Sequence, residues 1–280
     1  MKVIRSLPAL ERALKSVRRP LGFVPTMGYL HEGHLSLARL AKKENRAVAA
    51  SIFVNPIQFG PGEDFERYPR DLARDRRLLA SAGVDFVFVP AVPTLFPPGF
   101  QTAVTVSELS RPLCGASRPT HFRGVATVVA KLLGLVRPDA LYLGQKDYQQ
   151  VRVLEQMVAD LGLPVRVRMG PTVREKDGLA MSSRNVYLSP AERRAAPGIH
   201  RALREVAARV RAGERGGLAL KRLLRQRLAG LEGARVDYAE IVDARTLGGV
   251  VKLQARSKVL AAAAVRFGRT RLIDNELIGV

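Results

Sequence analysis

Two histidines three residues apart, His31 and His34, stand in the segment Pro25-Thr26-Met27-Gly28-Tyr29-Leu30-His31-Glu32-Gly33-His34. Imidazoles can donate to phosphate oxygens or move a proton near neutral pH, and Gly33 between them lets the backbone turn. The segment follows a strand-like run, Leu21 to Pro25, and precedes Leu35, Leu37, Leu40 and Ala41 at mostly helical spacing. A strand-to-helix turn is expected to present free backbone N–H groups and the positive end of a helix dipole, which suits a nucleotide phosphate. Two other readings stay open: a structural histidine pair, and a metal site, for which HxxH falls short of the usual ligand count.

A second cluster, Gly144-Gln145-Lys146-Asp147-Tyr148-Gln149-Gln150, again follows a strand-like run and opens a helix-like one. Lys146 offers a compact positive charge for a phosphate. Asp147 either accepts from a substrate hydroxyl or serves as a helix N-terminal carboxylate. A third, Met181-Ser182-Ser183-Arg184-Asn185, sets two hydroxyls beside a guanidinium. That loop either closes over a triphosphate, becoming protected when nucleotide binds, or is an ordinary polar hinge.

The elements that must carry these clusters alternate in kind. Ala47 to Val54 is apolar apart from Ser51, like a strand buried on both faces, and Arg70 to Ala82 reads as an amphipathic helix with its arginines outward. Asp85 to Val89 reads as a strand, Val125 to Val136 as a helix ended by Arg137-Pro138, and Ala140 to Leu143 as a strand. Val151 to Leu161 follows as a helix and Val165 to Met169 as a strand. Such alternation implies an α/β fold, a Rossmann-like doubly wound parallel sheet with ligands at the carboxyl ends of its strands. After Gly170 the rhythm changes. Ser189 and Pro190 mark a helix start, Arg/Ala/Leu helices follow, and short strands are expected at Val236 to Val242 and Val259 to Val265. These observations divide the chain into residues 1–175 and a smaller α+β lid domain, 176–280.

A chain of 280 residues with 47% hydrophobic and 25% charged side chains can bury a sizeable core, which rules out a disordered or low-complexity polymer. No apolar run approaches the roughly 18 residues that span a bilayer, so no membrane partner is expected. The start, Met1-Lys2-Val3-Ile4-Arg5, lacks the apolar stretch of an export signal, and the single cysteine, Cys114, makes no internal disulfide. A cytoplasmic protein is expected. The net charge of +21 attracts polyanions or small anionic substrates, and +11 of it lies beyond residue 175. The Arg201 to Arg227 stretch has no interleaved aromatics, so it reads as a solvated helix face rather than a nucleic-acid platform.

Five blocks then carry a resemblance: Pro25 to His34; Ser51-Ile52-Phe53-Val54-Asn55-Pro56-Ile57-Gln58-Phe59; Thr120-His121-Phe122-Arg123-Gly124-Val125; Gly144 to Gln150; and Pro171 to Asn185. In order and spacing they closely resemble the pantothenate synthetase (pantoate–β-alanine ligase) family, over most of residues 1–190. The C-terminal third resembles it mainly in length and in Val236-Asp237-Tyr238. Tyr29, where a small or polar residue is common, and Gln145, where glutamate is frequent, depart from the family form without removing a reacting group.

The resemblance implies ATP-dependent condensation of (R)-pantoate with β-alanine through a pantoyl adenylate, giving pantothenate, AMP and diphosphate. ATP would be held by Met27, Gly28, Tyr29, Leu30, His31, Glu32, Gly33 and His34, by Gly144, Gln145, Lys146 and Asp147, and by Val173, Met181, Ser182, Ser183 and Arg184. His34 would be the proton donor and His31 would support charge building on the phosphates, Lys146 and Arg184 would neutralise the triphosphate, and Gln58, Gln150 and Asn55 would take pantoate or β-alanine. Magnesium would accompany the triphosphate; its protein ligand is unassigned, with Asp71 and Asp75 as candidates. A homodimer is implied, and no nucleic-acid partner. Two rivals remain: another HxGH nucleotidyltransferase, which would stop at a nucleotide product, and an RNA-binding module, which would bind with a steep salt dependence.

Overall fold

The computed structural model describes residues 1–280, which divide into two compact units. The first comprises Met1–Ser110, Arg118–Gln145 and Gln150–Pro171, the second Arg111–Ser117, Lys146–Gln149 and Thr172–Val280. In chain order the elements of the N-terminal part are β1 (Lys2–Ile4), α1 (Leu7–Lys15), β2 (Leu21–Thr26), α2 (Glu32–Glu44), β3 (Ala47–Ile52), α3 (Leu72–Ser81), β4 (Phe86–Phe88) and two single turns, α4 (Val92–Leu95) and α5 (Cys114–Ser117). They continue with α6 (His121–Val136), β5 (Ala140–Gly144), α7 (Tyr148–Asp160) and β6 (Arg166–Gly170). The six strands form one parallel sheet in the order β1-β4-β3-β2-β5-β6. This is the Rossmann-like doubly wound arrangement that the alternation implies.

The chain reverses its direction of winding at β2. It passes outward through β3 and β4 and then returns to place β5 on the other side of β2. The β2–β5 ladder registers only Gly22 and Phe23, so it ends before Pro25, while the β2–β3 ladder runs on to Thr26. A break of that kind at the carboxyl end, beside the reversal point, is where open α/β sheets take ligands. Leu21, Phe23 and Val24 are buried on β2, as are Val48, Ala49 and Ala50 on β3, because helices cover both faces.

Several boundaries differ from the periodicity. Helix α6 begins at His121 rather than Val125, and α7 at Tyr148 rather than Val151, because a single buried aromatic in each first turn, Phe122 or Tyr148, among polar residues makes no apolar stripe. The short β1 and α1 have too few buried positions to signal themselves; Leu10 is the buried residue of α1.

The second unit is helices on an antiparallel sheet. Ser189 caps α8 (Pro190–Ala195) by accepting from Glu192 N–H, and Glu192 returns a bond to Ser189 N–H, with Pro190 in the first turn. Then come α9 (Gly198–Arg211), α10 (Gly217–Ala229) and the strands β7 (Ala234–Asp243), β8 (Lys258–Phe267) and β9 (Thr270–Gly279), in sheet order β7-β8-β9. Ile199, Leu203, Val206 and Val210 of α9 and Leu220, Leu224 and Leu228 of α10 share a core with the small side chains of β8. Arg201, Arg204, Arg209, Arg211, Arg222 and Arg225 point outward. Strand β9 has no clear sequence signal because Asp274 and Asn275 interrupt it; both are buried, and Asp274 pairs with Arg174.

Two short segments join this second unit through specific bonds. Gln149 accepts from Cys114 N–H and donates to Pro112 O. Asp237 accepts from Arg271 and Ser117, while Tyr238 Oη lies 3.3 Å from Cys114 Sγ. The Val236-Asp237-Tyr238 motif is thus a clasp on residues 111–117. Tyr148 Oη donates to Ala244 O, and Asn275 Nδ2 donates to Lys146 O, which hold residues 146–149.

Candidate active site

The turn leaving β2 is shaped by two consecutive left-handed residues, Gly28 at φ +85° and Tyr29 at φ +49°. For tyrosine that conformation costs about 1–2 kcal/mol, so other bonds must hold it. Gly28 N–H donates to Thr26 Oγ1 (3.2 Å), and Thr26 in turn donates to Ser51 O on the neighbouring strand (2.7 Å). Tyr29 N–H and Leu30 N–H donate to the two oxygens of Asp75, at 2.7 and 2.8 Å. His31 N–H goes to His34 Nδ1 (3.3 Å) and Gly33 N–H to His31 Nδ1 (3.2 Å). The expectation of free backbone donors therefore fails at Gly28, Tyr29, Leu30, His31 and Gly33. The local backbone does form an anion-binding concavity, but a carboxylate of the same chain fills it.

The histidines themselves are the N-terminal capping box of α2, His31 as the N-cap and His34 at the third helical position. Their rings lie 4.1 Å apart, tilted by 41°. Because Nδ1 of each ring accepts a backbone N–H, a neutral imidazole must carry its proton on Nε2. Both rings are thereby set as Nε2–H donors at the positive end of a helix, an arrangement for stabilising charge on an anion. One nitrogen of each ring thus builds the turn, and the structural reading of the HxxH pair accounts for Nδ1 alone.

Beside this turn, also in the first unit, Gln58 and Asn55 form a buried amide pair. Asn55 Nδ2 donates to Gln58 Oε1 (3.0 Å) and to Gly124 O (3.1 Å), and Gln58 Nε2 donates to Met27 Sδ (3.0 Å). Asn55 Oδ1 is buried with no hydrogen-bond partner, a polar atom available to a ligand. Residues the sequence reading left without a role hold this pair in place. Arg118 donates to Glu63 Oε1 and Oε2 (2.6 and 2.5 Å) and to Gln58 O (3.3 Å), and His121 Nδ1 is 3.0 Å from the same carbonyl. Burial pushes the Glu63 carboxyl up, but the bonds and charge of Arg118 outweigh it and hold the group below the ordinary value. Gly124 permits the contact, since a Cβ there would stand 2.3 Å from Ile57 O. Its place in the Thr120–Val125 block was the available sequence signal. Gln150, the third amide expected here, stands on the first turn of α7, partly exposed.

In the second unit Lys146, half-buried, has Nζ 4.0 Å from Asp147 Oδ2, and its carbonyl is fixed by Asn275 of β9. The stretch expected as a polar loop is internally bonded: Arg174 bridges to Ala180, Glu175 N–H donates to Leu179 O and Met181 N–H to Val173 O. Ser182 caps a single 3-10 turn, Ser183–Tyr187, by accepting from Arg184 N–H. Both this turn and Lys146 are thus built against β9 or its neighbours. No group of three or more His, Cys, Asp or Glu side chains is arranged to hold a metal ion. Of the two magnesium candidates, Asp71 caps α3 by accepting from Arg74 N–H (2.9 Å), and Asp75 gives both oxygens to the histidine turn.

Comparison with known proteins decides the family. The family model for pantoate-beta-alanine ligase matches residues 2–277. The chain belongs to the pantoate–β-alanine ligase family. It is accordingly an enzyme, a carbon–nitrogen ligase of pantothenate biosynthesis. Pantothenate synthetase from Moorella thermoacetica is 52% identical over 283 residues, covering 100% of this chain and 99% of that one. A crystal structure of pantothenate synthetase from Thermus thermophilus is 49% identical with a TM-score of 0.93, covering 99% of both chains. A pantoate-beta-alanine ligase from Francisella tularensis, complexed with beta-gamma ATP and beta-alanine, is 35% identical with a TM-score of 0.81, covering 99% of this chain and 97% of the other. No helix of this pantoate–β-alanine ligase family member is long and apolar enough to cross a membrane.

Proposed function

We propose that the enzyme condenses (R)-pantoate with β-alanine at the expense of ATP, through a pantoyl adenylate. A pantoate carboxylate oxygen attacks the α-phosphorus and diphosphate leaves; the β-alanine amine then attacks the acyl carbon and AMP leaves with the carboxylate's former oxygen. The observation that supports this reading is the capping box, in which Nδ1 of His31 and of His34 each accepts a backbone N–H at the positive end of α2. His34 is assigned to the charge that builds on the α-phosphate and its bridging oxygen, and His31 supports it. Lys146 and Arg184, with Ser182 and Ser183, are assigned to neutralising the triphosphate, and Val173 and Met181 to its nucleotide. The ATP complex of the Francisella tularensis relative supports a nucleotide substrate.

Gln58, Asn55 and Gln150 are assigned to pantoate and β-alanine. The Gln58→Ala variant should raise the KM for pantoate by about tenfold or more while changing that for ATP little, because it removes a buried amide and one of the two acceptors of Asn55 Nδ2 rather than a charge contact. Steady-state kinetics with each substrate varied checks it, and equal losses for both would dissolve the separate acid pocket.

Magnesium enters in this reading as part of the ATP substrate, keeping water in much of its shell. Asp75 does not fit as its ligand, since both of its oxygens accept backbone N–H groups, whereas Asp71 gives only Oδ1 to the cap of α3. We place the enzyme in the cytoplasm, where ATP is available; the lone Cys114 supports that. The homodimer rests on the family resemblance and is checked by light scattering.

The chemical proposal is tested by isotope exchange. The purified protein should exchange labelled diphosphate into ATP when pantoate is present and β-alanine absent. Exchange that waits for β-alanine, or formation of ADP and phosphate, would replace the adenylate with a different intermediate.

A further inference from the structure

We propose that Asp75 is a positioning residue of the reaction: it holds the Gly28–Leu30 backbone in the conformation that aims His31 and His34. The inference rests on the reading that this turn serves ATP. Asp75 lies in the first turn of α3, 45 residues from the turn it binds, and is 1% exposed. Its two oxygens take one N–H each, from Tyr29 and Leu30, and Oδ2 would stand 3.1 Å from a Cβ at Gly28. The carboxylate thus binds two consecutive residues of the turn, fills the space a side chain at Gly28 would need, and compensates for the left-handed tyrosine. The next residue along is His31, the N-cap whose own N–H meets His34, so any rotation of the Leu30 peptide is passed directly to both rings.

Asp75 has an environment that a merely structural group would not favour. Burial raises its carboxyl above the ordinary carboxylate value; the N–H donors of Leu30 and Tyr29 and the nearby Arg74 guanidinium offset only part of this. Arg74 Nη1 is 3.8 Å from Asp75 Oδ1, and its guanidinium lies over the Tyr29 ring, 5.2 Å from the centroid. A raised carboxyl favours the native state in its protonated form, below the unfolded value, and that advantage is lost as pH rises through the folded value. The burial that disfavours its charged form is thus found where both oxygens are spent on the turn. The same bonds explain the departure at Tyr29: its backbone N–H, not its side chain, is what the turn requires, and Arg74 covers the ring.

Asp75→Asn keeps the shape but can accept only one of the two N–H bonds. We expect the pantoate-dependent diphosphate exchange rate to fall about 10- to 100-fold, with the KM for pantoate unchanged. The thermal midpoint at pH 7 should stay within about 5 °C of the parent. Backbone amide exchange at Tyr29 and Leu30 should accelerate while that in α9 does not. A parent-like exchange rate, or a loss spread over pantoate KM and all amides alike, would overturn the proposal. The unmutated protein gives an independent measurement. Tyr29 and Leu30 amides should be protected without ATP, and protection appearing only with ATP would assign those N–H groups to nucleotide and overturn it too. If the unmutated protein shows no pantoate-dependent exchange, the ATP reading falls on that arm alone, and the amide measurements still decide whether Asp75 holds the turn.

Discussion

Replacing His34 with alanine is expected to lower turnover about 100-fold or more, the usual scale for losing a positioned donor to developing charge and equivalent to about 2.7 kcal/mol of barrier. The substitution also removes the acceptor for His31 N–H, a capping loss of about 0.5–2 kcal/mol in stability. The two effects separate in the His34→Asn variant. Its side-chain oxygen can accept the same N–H from the place of Nδ1, but nothing stands in the place of Nε2. Stability should therefore return and turnover should not. Thermal melts and diphosphate exchange on both variants check this; recovery of rate in the asparagine variant would make the cap, rather than Nε2–H, the contribution of His34.

The second large effect is expected from a methyl group. Gly124→Ala would put a Cβ 2.3 Å from Ile57 O and 2.6 Å from Gln58 Cα, both backbone atoms that have no rotamer with which to escape. The Pro56–Gln58 turn must shift, and with it the Asn55–Gln58 pair whose Asn55 donates to Gly124 O. A stability loss of about 1–3 kcal/mol is expected from the overpacking. The KM for pantoate should rise at least about tenfold, since a displaced amide pair loses its hydrogen-bonding geometry. Gly134 on the same helix is the control: a Cβ there meets nothing within 4 Å, so Gly134→Ala should stabilise by about 0.5–1 kcal/mol through helix propensity. Unfolding curves and pantoate titrations of the two variants measure this contrast, and equal behaviour would remove the steric argument.

The fold was legible because its signals are local. Apolar runs such as Ala47–Ile52, stops such as Arg137-Pro138 and caps such as Ser189-Pro190 are short-range consequences of backbone geometry, so a linear reading recovers the alternation and hence the sheet. The motif positions were legible for the same reason, since the histidine turn leaves β2 and the Gly144–Gln150 segment leaves β5. Elements whose burial depends on partners were not: β9 carries Asp274 and Asn275 at its centre, and only the pairing of Asp274 with Arg174 makes that strand admissible.

Within the site the division is sharper. By itself the sequence determined that two imidazoles stand on a strand-to-helix turn, that a lysine and a Ser-Ser-Arg run lie elsewhere, and which family uses that order. Only the tertiary structure decided which atoms are available. Asp75 takes the Tyr29 and Leu30 N–H groups from across the first unit, Arg118 and His121 converge on Gln58 O, and Cys114 and Gln149 join the unit of the C-terminal sheet. A hydrogen-bond donor is committed by whatever the fold brings within about 3 Å of it, and no pattern along the chain encodes an encounter between residues 29 and 75.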